Sequence, residues 1–448
     1  MSDLGAIVAQ AQSLSSSDDG LSQLQSVLDG ASDLLATEHA NALVTLSAGT
    51  LDPRAHSLAW VHVLSAACGV HKKDAAPPHK DPNGPEALTF FALATALLKT
   101  CDAAQVRRDP KRFAVVCGEV RDLAMALGKP LAAVAPLAAA VRAAQPNPDH
   151  LTPQHAMLFQ CALLGKCPNA ALAVLSRRVF EVVPSATALT TKDFLLYCYY
   201  GGMCFAALRR YEDAADLLLH AITAPASAVS AIVVEAYKKY ICTSLIGAGS
   251  VPPFPRCTSP MVQRQLKSSC PEYIAIAEAY ATRNGEKLRK AAVTHNERFA
   301  KDGNAGLVDL VLKSLAKRNV QRLTLTYLTL SLEDIASAVA LPGGASEAET
   351  QIVGMIEAGE IFASVSQKDG MVSFHDVSAD LYSGAKMAKR LDSEIREVME
   401  LSNRVRVLDD ALRANKAYLT KVSEIGSEFG GLRGMKVGGD EMDFSGDP

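Results

Sequence analysis

The sequence predicts a mainly helical protein in three parts: a right-handed solenoid of stacked helical pairs, a small mixed module, and one long helix. Three observations predict it. From Leu21 to about Leu315, apolar residues recur at helical spacing, drawn mostly from Ala, Leu and Val, with aromatics only 6% of the 448 residues. Between Ser331 and Phe374 the pattern changes to two short amphipathic helices and a β-hairpin. From Met387 to Leu412, apolar residues step mostly by three and four. The boundaries are 1–310 for the helical repeats, 311–376 for the module, 387–422 for the long helix and 423–448 for an acidic tail.

The opening helix carries Leu21, Leu24 and Leu28 on one face, with Ser16, Ser17 and Asp18 as candidate caps. A repeat is visible in the middle. In Asp193 to Pro225, the residues Tyr197, Tyr200-Gly201, Leu217 and Pro225 sit at spacings close to those of a tetratricopeptide unit. There a small residue lets two antiparallel helices approach, and a proline ends the second. Cys204 stands in the place of an aromatic and Asp213 in that of a small packing residue, so the repeat is diverged. His155 to Pro184 reads as a preceding helical hairpin turning at Gly165 to Asn169, and Val229 to Gly247 as a following apolar helix. Stacked pairs of this kind bury their apolar faces against neighbours and leave an extended binding surface. The stretches His71 to Glu86 and Gly247 to Cys257, rich in proline, read as surface loops.

Ser331 is a candidate N-cap with Asp334 three residues on, and Leu332, Ile335, Ala336 and Val339 form one helical stripe. Pro342-Gly343-Gly344 makes a turn, Ser346 with Glu349 opens a second helix carrying Ile352, Met355 and Ile356, and Gly359 closes it. Asp369-Gly370 then signals a hairpin. A two-residue turn there sets Lys368 opposite Met371 and Val365 opposite Phe374, with Ile361, Ala363, Val365, Val372 and Phe374 on one face. Helix, turn, helix and hairpin are the outline of a winged helix.

Composition excludes several classes. With 49% apolar and 21% charged residues and a net charge of −3, the chain is neither disordered nor drawn to polyanions by bulk charge. Its apolar runs fall short of a bilayer span. The segment before Arg54, the first basic residue, is acidic, so no secretory or mitochondrial leader is expected and a cytoplasmic and nuclear location is. Ten cysteines without a C-x-x-C pair, and no N-x-S/T sequon, read as reduced thiols. Phosphate-loop, nucleophile-elbow and zinc-protease motifs are absent, as is an H-x-H pair, so neither catalysis, nor a metal, nor a cofactor is expected.

A winged helix raises the question of DNA, but Ser331 to Ser366 holds six acids and no Lys or Arg, the wrong sign for a reader of phosphates. The module therefore reads as protein-binding. The nearest basic cluster, Lys313, Lys317, Arg318 and Arg322, reads as a solvated helix face, with an acidic-partner or RNA contact as the alternative.

Helical repeats running into a winged helix and a long final helix resemble the PCI family, the scaffold proteins of the proteasome lid, the COP-9 signalosome and the initiation-factor assembly. Phe194-Leu-Leu-Tyr-Cys-Tyr-Tyr-Gly-Gly-Met203, Glu235-Ala-Tyr-Lys-Lys-Tyr-Ile241, Asn319-Val-Gln-Arg-Leu-Thr324, Tyr327-Leu-Thr-Leu-Ser-Leu332 and Ile361 to Phe374 resemble the signalosome branch of that family specifically. The likeness runs from about Gln23 to Leu412, with departures in the His71 to Glu86 loop, near Pro252 and in the tail. The resemblance implies a non-catalytic scaffold in the complex that removes the ubiquitin-like modifier Nedd8 from cullin-RING ligases, with zinc carried by another subunit. It implies other signalosome subunits as partners, the first and eighth as neighbours, and neither nucleic acid nor membrane. A related lid or initiation-factor assembly, or a winged-helix RNA adaptor, is the alternative. Winged helices in the family line up by sheet edges and C-terminal helices gather in a bundle. The candidate contacts are accordingly Phe362, Met371, Val372 and Phe374 on the hairpin, and Leu391, Ile395, Val398, Val405 and Leu408 on the long helix.

Overall fold

The computed structural model describes residues 4–15, 17–68, 83–226, 228–375 and 384–421. Most of the His71 to Glu86 loop and the whole 423–448 tail lie outside them. The chain divides into two units, Met1–Ile361 with Ser366–Val372, and Phe362–Val365 with Ser373–Pro448.

In the first unit, helix follows helix from Leu4–Leu14 to Ala305–Thr324, most packed on helices close by in sequence, while Ala305–Thr324 returns onto Ala231–Gly247. Local chemistry sets many of the starts. The Ser17 hydroxyl accepts from the Gly20 N–H, Asp102 from Gln105, and Thr190 forms a reciprocal capping box with Asp193. The expected stripe Leu21, Leu24 and Leu28 is buried. Ser57–Ala67 is buried on every side, as its nearly continuous apolar sequence dictates, and Trp60 donates its indole N–H to the Leu51 carbonyl at 3.1 Å. No described helix is long and apolar enough to cross a membrane.

The tetratricopeptide-like pair is Thr191–Ala207 against Tyr211–Thr223. Its helices meet at Gly201 and Gly202: a Cβ on Gly201 would lie 3.0 Å from Leu217 Cδ1, and one on Gly202 2.7 Å from Leu218 Cγ. Tyr197 and Cys204 are buried, with the Tyr197 ring 5.7 Å from Phe159 and 5.8 Å from His155 of the preceding helix. Pro153–Leu164 thus packs on Thr191–Ala207, and Tyr211–Thr223 packs in turn on Ala231–Gly247. This neighbour-to-neighbour burial is what makes a solenoid stable.

The His155 to Pro184 hairpin is formed differently from expectation. Its first arm is helix Pro153–Leu164, but the second shrinks to a 3-10 turn, Pro168–Ala171, and one helical turn, Leu172–Leu175. The following β-branched segment takes its backbone bonds elsewhere. Phe180 and Glu181 donate to the Asp149 carbonyl, Leu151 donates to Glu181, and His150 Nε2 lies 2.6 Å from Glu181 Oε2.

Ala305–Thr324 leads to the winged helix and packs on both of its helices, Leu332–Val339 and Gly344–Glu357. Ser331 caps the first of these through the Asp334 N–H at 3.1 Å, and the Leu332, Ile335, Ala336, Val339 stripe is buried as read. The second starts two residues before Ser346. The Glu347 carboxylate reaches back to accept from the Gly343 N–H at 2.7 Å, supplying the cap that Ser346 does not.

Three strands form one sheet: β1, Thr329–Ser331; β2, Ala363–Ser366; and β3, Met371–Phe374, in the order β1-β3-β2. β1 is an addition to the expected hairpin. The hairpin register also differs by two residues: the connection is the four residues 367–370, and the His375 N–H donates to the Phe362 carbonyl at 2.8 Å. Val365 therefore stands opposite Val372, not Phe374. Gly370, with φ +63°, takes the last loop position, and the Ser366 hydroxyl bonds Asp369 across the loop. A slip of two keeps the same residues on the same face, so the apolar side survives the change.

In the second unit, the helix Ala385–Ala414 runs 30 residues, about 45 Å at 1.5 Å per residue.

Candidate partner-docking surfaces

The sheet has β3 at its centre, so β1 and β2 are its edges and carry the unpaired backbone groups a neighbouring strand could extend. Of the four hairpin candidates, Phe362 is half-buried and Met371 is 36% exposed. Val372 and Phe374 are 0% and 7% exposed, because their side of the hairpin is the buried one, so neither offers surface to a partner in this structure. Met371 shares its face with Ser364, Ser373 and His375, and the Ser364 hydroxyl lies 3.0 Å from His375 Nε2. Beside β1, Leu325 and Leu328 are 87% and 82% exposed, an apolar pair that the sequence reading passed over. Their signal was the Leu325-Thr-Tyr-Leu328 run, too short to carry a periodicity.

The winged-helix surface is acidic. Glu333, Asp334, Glu347 and Glu357 are exposed, while Glu349 accepts from Gln367 at 2.7 Å.

The long helix carries an extended series of exposed apolar side chains. Leu391, Ile395, Val398, Val405 and Leu408 are 48–65% exposed. Leu391, Val398, Val405 and Leu412 recur every seven residues, and Met387, Leu401 and Leu408 fill a second series four residues out of step, interrupted by Glu394. That is the seam of a left-handed coiled coil, which an isolated helix cannot bury. Ion pairs Arg390–Glu394, Asp392–Arg396 and Asp409–Arg413, all at i,i+4, support the helix while its seam stays open.

The expected basic cluster is not one patch. Lys317 pairs with Glu360 at 2.7 Å, and Arg318 donates to the carbonyls of Ile246 and Gly247. Lys313 and Arg322 remain exposed. One grouping has metal-like proximity: ligand atoms of Asp29, His62 and Asp109 lie within 4.8 Å of one another. A guanidinium already occupies it, with Arg112 Nη1 2.6 Å from both Asp29 Oδ1 and Asp109 Oδ2, so it is an ion-pair knot joining three helices.

A helical array, a winged helix with two open sheet edges and a helix with an unpaired coiled-coil seam define an assembly subunit of the PCI class, and a PCI-domain family model matches residues 289–376. The helical repeats match, over residues 18–262, the model for the N-terminal helical repeats of COP9 signalosome complex subunit 3. COP9 signalosome complex subunit 3 from Arabidopsis thaliana is 36% identical over 419 residues, 93% of either chain. The Dictyostelium discoideum protein of that description is 36% identical over 377 residues, 84% of this chain and 87% of its own. The chain belongs to the COP9 signalosome complex subunit 3 family.

Proposed function

We propose that the chain is a non-catalytic scaffold, holding other signalosome subunits in place so that the complex can remove Nedd8 from cullin-RING ligases. The observation that carries this reading is the open heptad seam from Met387 to Leu412, a surface built for helical partners. The acidic winged helix supports protein over nucleic acid as the partner of that module, and its edge strands suit pairing with a second winged helix. The same proposal takes the first and eighth subunits as its neighbours and the cytoplasm and nucleus as its location.

The test is a double substitution in the seam, Leu391→Asp with Val398→Asp, in the tagged full chain. Two charges placed in a coiled-coil core leave the helix soluble and unable to join a bundle. The variant keeps its helical content and thermal transition, yet fails to co-purify with the other subunits. Normal co-purification would remove the long helix from the assembly mechanism.

A further inference from the structure

Lys267, Arg283 and Arg322 come from three separate segments and converge on one cavity of about 650 Å³. Lys267 lies in helix Pro260–Ser269, Arg283 in the turn after Pro271–Ala281, and Arg322 near the end of Ala305–Thr324. The cavity's inner wall is apolar, with Tyr237, Ile241, Leu245 and Ile274, and the one carboxylate lining it is Glu278.

Among the described residues, none of the three cations has a carboxylate partner within ion-pair distance. The Arg322 guanidinium only donates to Asn319 Oδ1 at 3.2 Å. A fourth cation stands behind the wall: a Cβ on Gly249, which lines the cavity, would lie 2.7 Å from Arg318 Nε. Burial lowers the pKa of Arg322, and repulsion from Arg283 and Arg318 lowers it further. On the same helix, Lys317 is neutralised by Glu360 at 2.7 Å. Lys267, Arg283 and Arg322 are all exposed at the cavity mouth, so their charge is open to an anion from solution.

We propose that this cavity binds a small molecule bearing two or more phosphate groups, held by Lys267, Arg283 and Arg322, with its less polar part against Tyr237 and Ile274. The volume is that of a small-molecule site. Planar guanidinium forks match phosphate oxygens two at a time, and three cations against one acid call for a multiply charged ligand. A nucleic-acid strand would require the cations to be strung along a groove; here they share one cavity. The proposal is independent of the scaffold role, since the cavity lies within the helical array and its test reads no assembly.

The experiment is isothermal titration of the purified full chain with pyrophosphate, ATP and, at matched ionic strength, sulfate. Pyrophosphate binds saturably and at least about tenfold tighter than sulfate, and ATP tighter again through the apolar wall. Arg283→Glu and Arg322→Glu each weaken binding by about tenfold or more, the scale of one charge-assisted bond. Lys313→Glu, the same charge change on the same helix outside the cavity, leaves it within about twofold. Should a reversal disturb folding, as read by far-UV circular dichroism, Arg322→Gln carries the comparison. Pyrophosphate and ATP binding no tighter than sulfate, or equal loss in Lys313→Glu, overturns the proposal. Retention of an acidic peptide or single-stranded RNA without pyrophosphate binding overturns it also.

Discussion

Lys238 is 3% exposed, and its charge survives burial because two carboxylates meet it: Glu235 at 2.6 Å and Asp302 at 2.9 Å. The Tyr273 hydroxyl donates to Asp302 at 3.1 Å and receives the Asn304 amide at 2.8 Å, so one network ties Ala231–Gly247 to Pro271–Ala281 and the turn at Asp302. This is the physical content of the Glu235-Ala-Tyr-Lys-Lys-Tyr-Ile241 motif. Lys238→Met leaves Asp302 largely buried with Arg298 as its remaining charged partner and lowers stability by about 3 kcal/mol in urea unfolding; Lys238→Met with Asp302→Leu recovers most of it. A loss under about 1 kcal/mol would mean the network is decorative. His155 behaves oppositely. Burial pushes its pKa down to about 4, and its ring Nδ1 accepts from the Thr152 N–H at 3.2 Å, which requires the neutral form. A His held below its unfolded value takes up its proton more readily when unfolded, so stability is full above about pH 6.5 and falls as pH drops toward 4. Urea unfolding should lose about 1–2 kcal/mol from this group between pH 7 and 5, and His155→Gln should flatten that part of the profile. An unchanged profile would show that His155 is not the group titrating.

At the scale of elements, glycine marks where helices touch. Gly202 meets Leu218 so closely that Gly202→Val overpacks the pair and costs about 2–3 kcal/mol. Gly118, within Pro110–Ala126, has only Met157 Cε at 3.8 Å near its absent Cβ, so Gly118→Ala stabilises by about 0.5–1 kcal/mol. Thermal unfolding of the two variants checks both signs together. The helical pair was legible because its spacing encodes this approach, and the winged-helix stripe because four buried residues fall on one period. The hairpin register was not legible: Asp-Gly signals a turn, but loop length depended on the Ser366–Asp369 bond and on Gly370 falling last. β1 was hidden because three residues cannot display an alternation. Val372 and Phe374 stand on the apolar face that the alternation already marked, and that is the covered face of the hairpin. The heptad seam was legible as a stripe, since charge pairs line its flanks and nothing within the described residues competes for its apolar positions.

The buried thiols have their pKa raised by burial, Cys198 to about 12 and Cys161 to about 11, which leaves them poor nucleophiles, and the metal-like knot is filled by Arg112. The extended surfaces are the sheet edges, the exposed Leu325 and Leu328 and the heptad seam, all suited to holding other chains. The most direct measurement is affinity purification of the tagged full chain from its own cells, with mass spectrometry of the partners and a cullin deneddylation assay on the eluate and on the isolated chain. A scaffold brings down the remaining signalosome subunits together with deneddylase activity, while the isolated chain has none. Deneddylation by the isolated chain, or recovery of proteasomal or ribosomal partners in place of the signalosome, would contradict it.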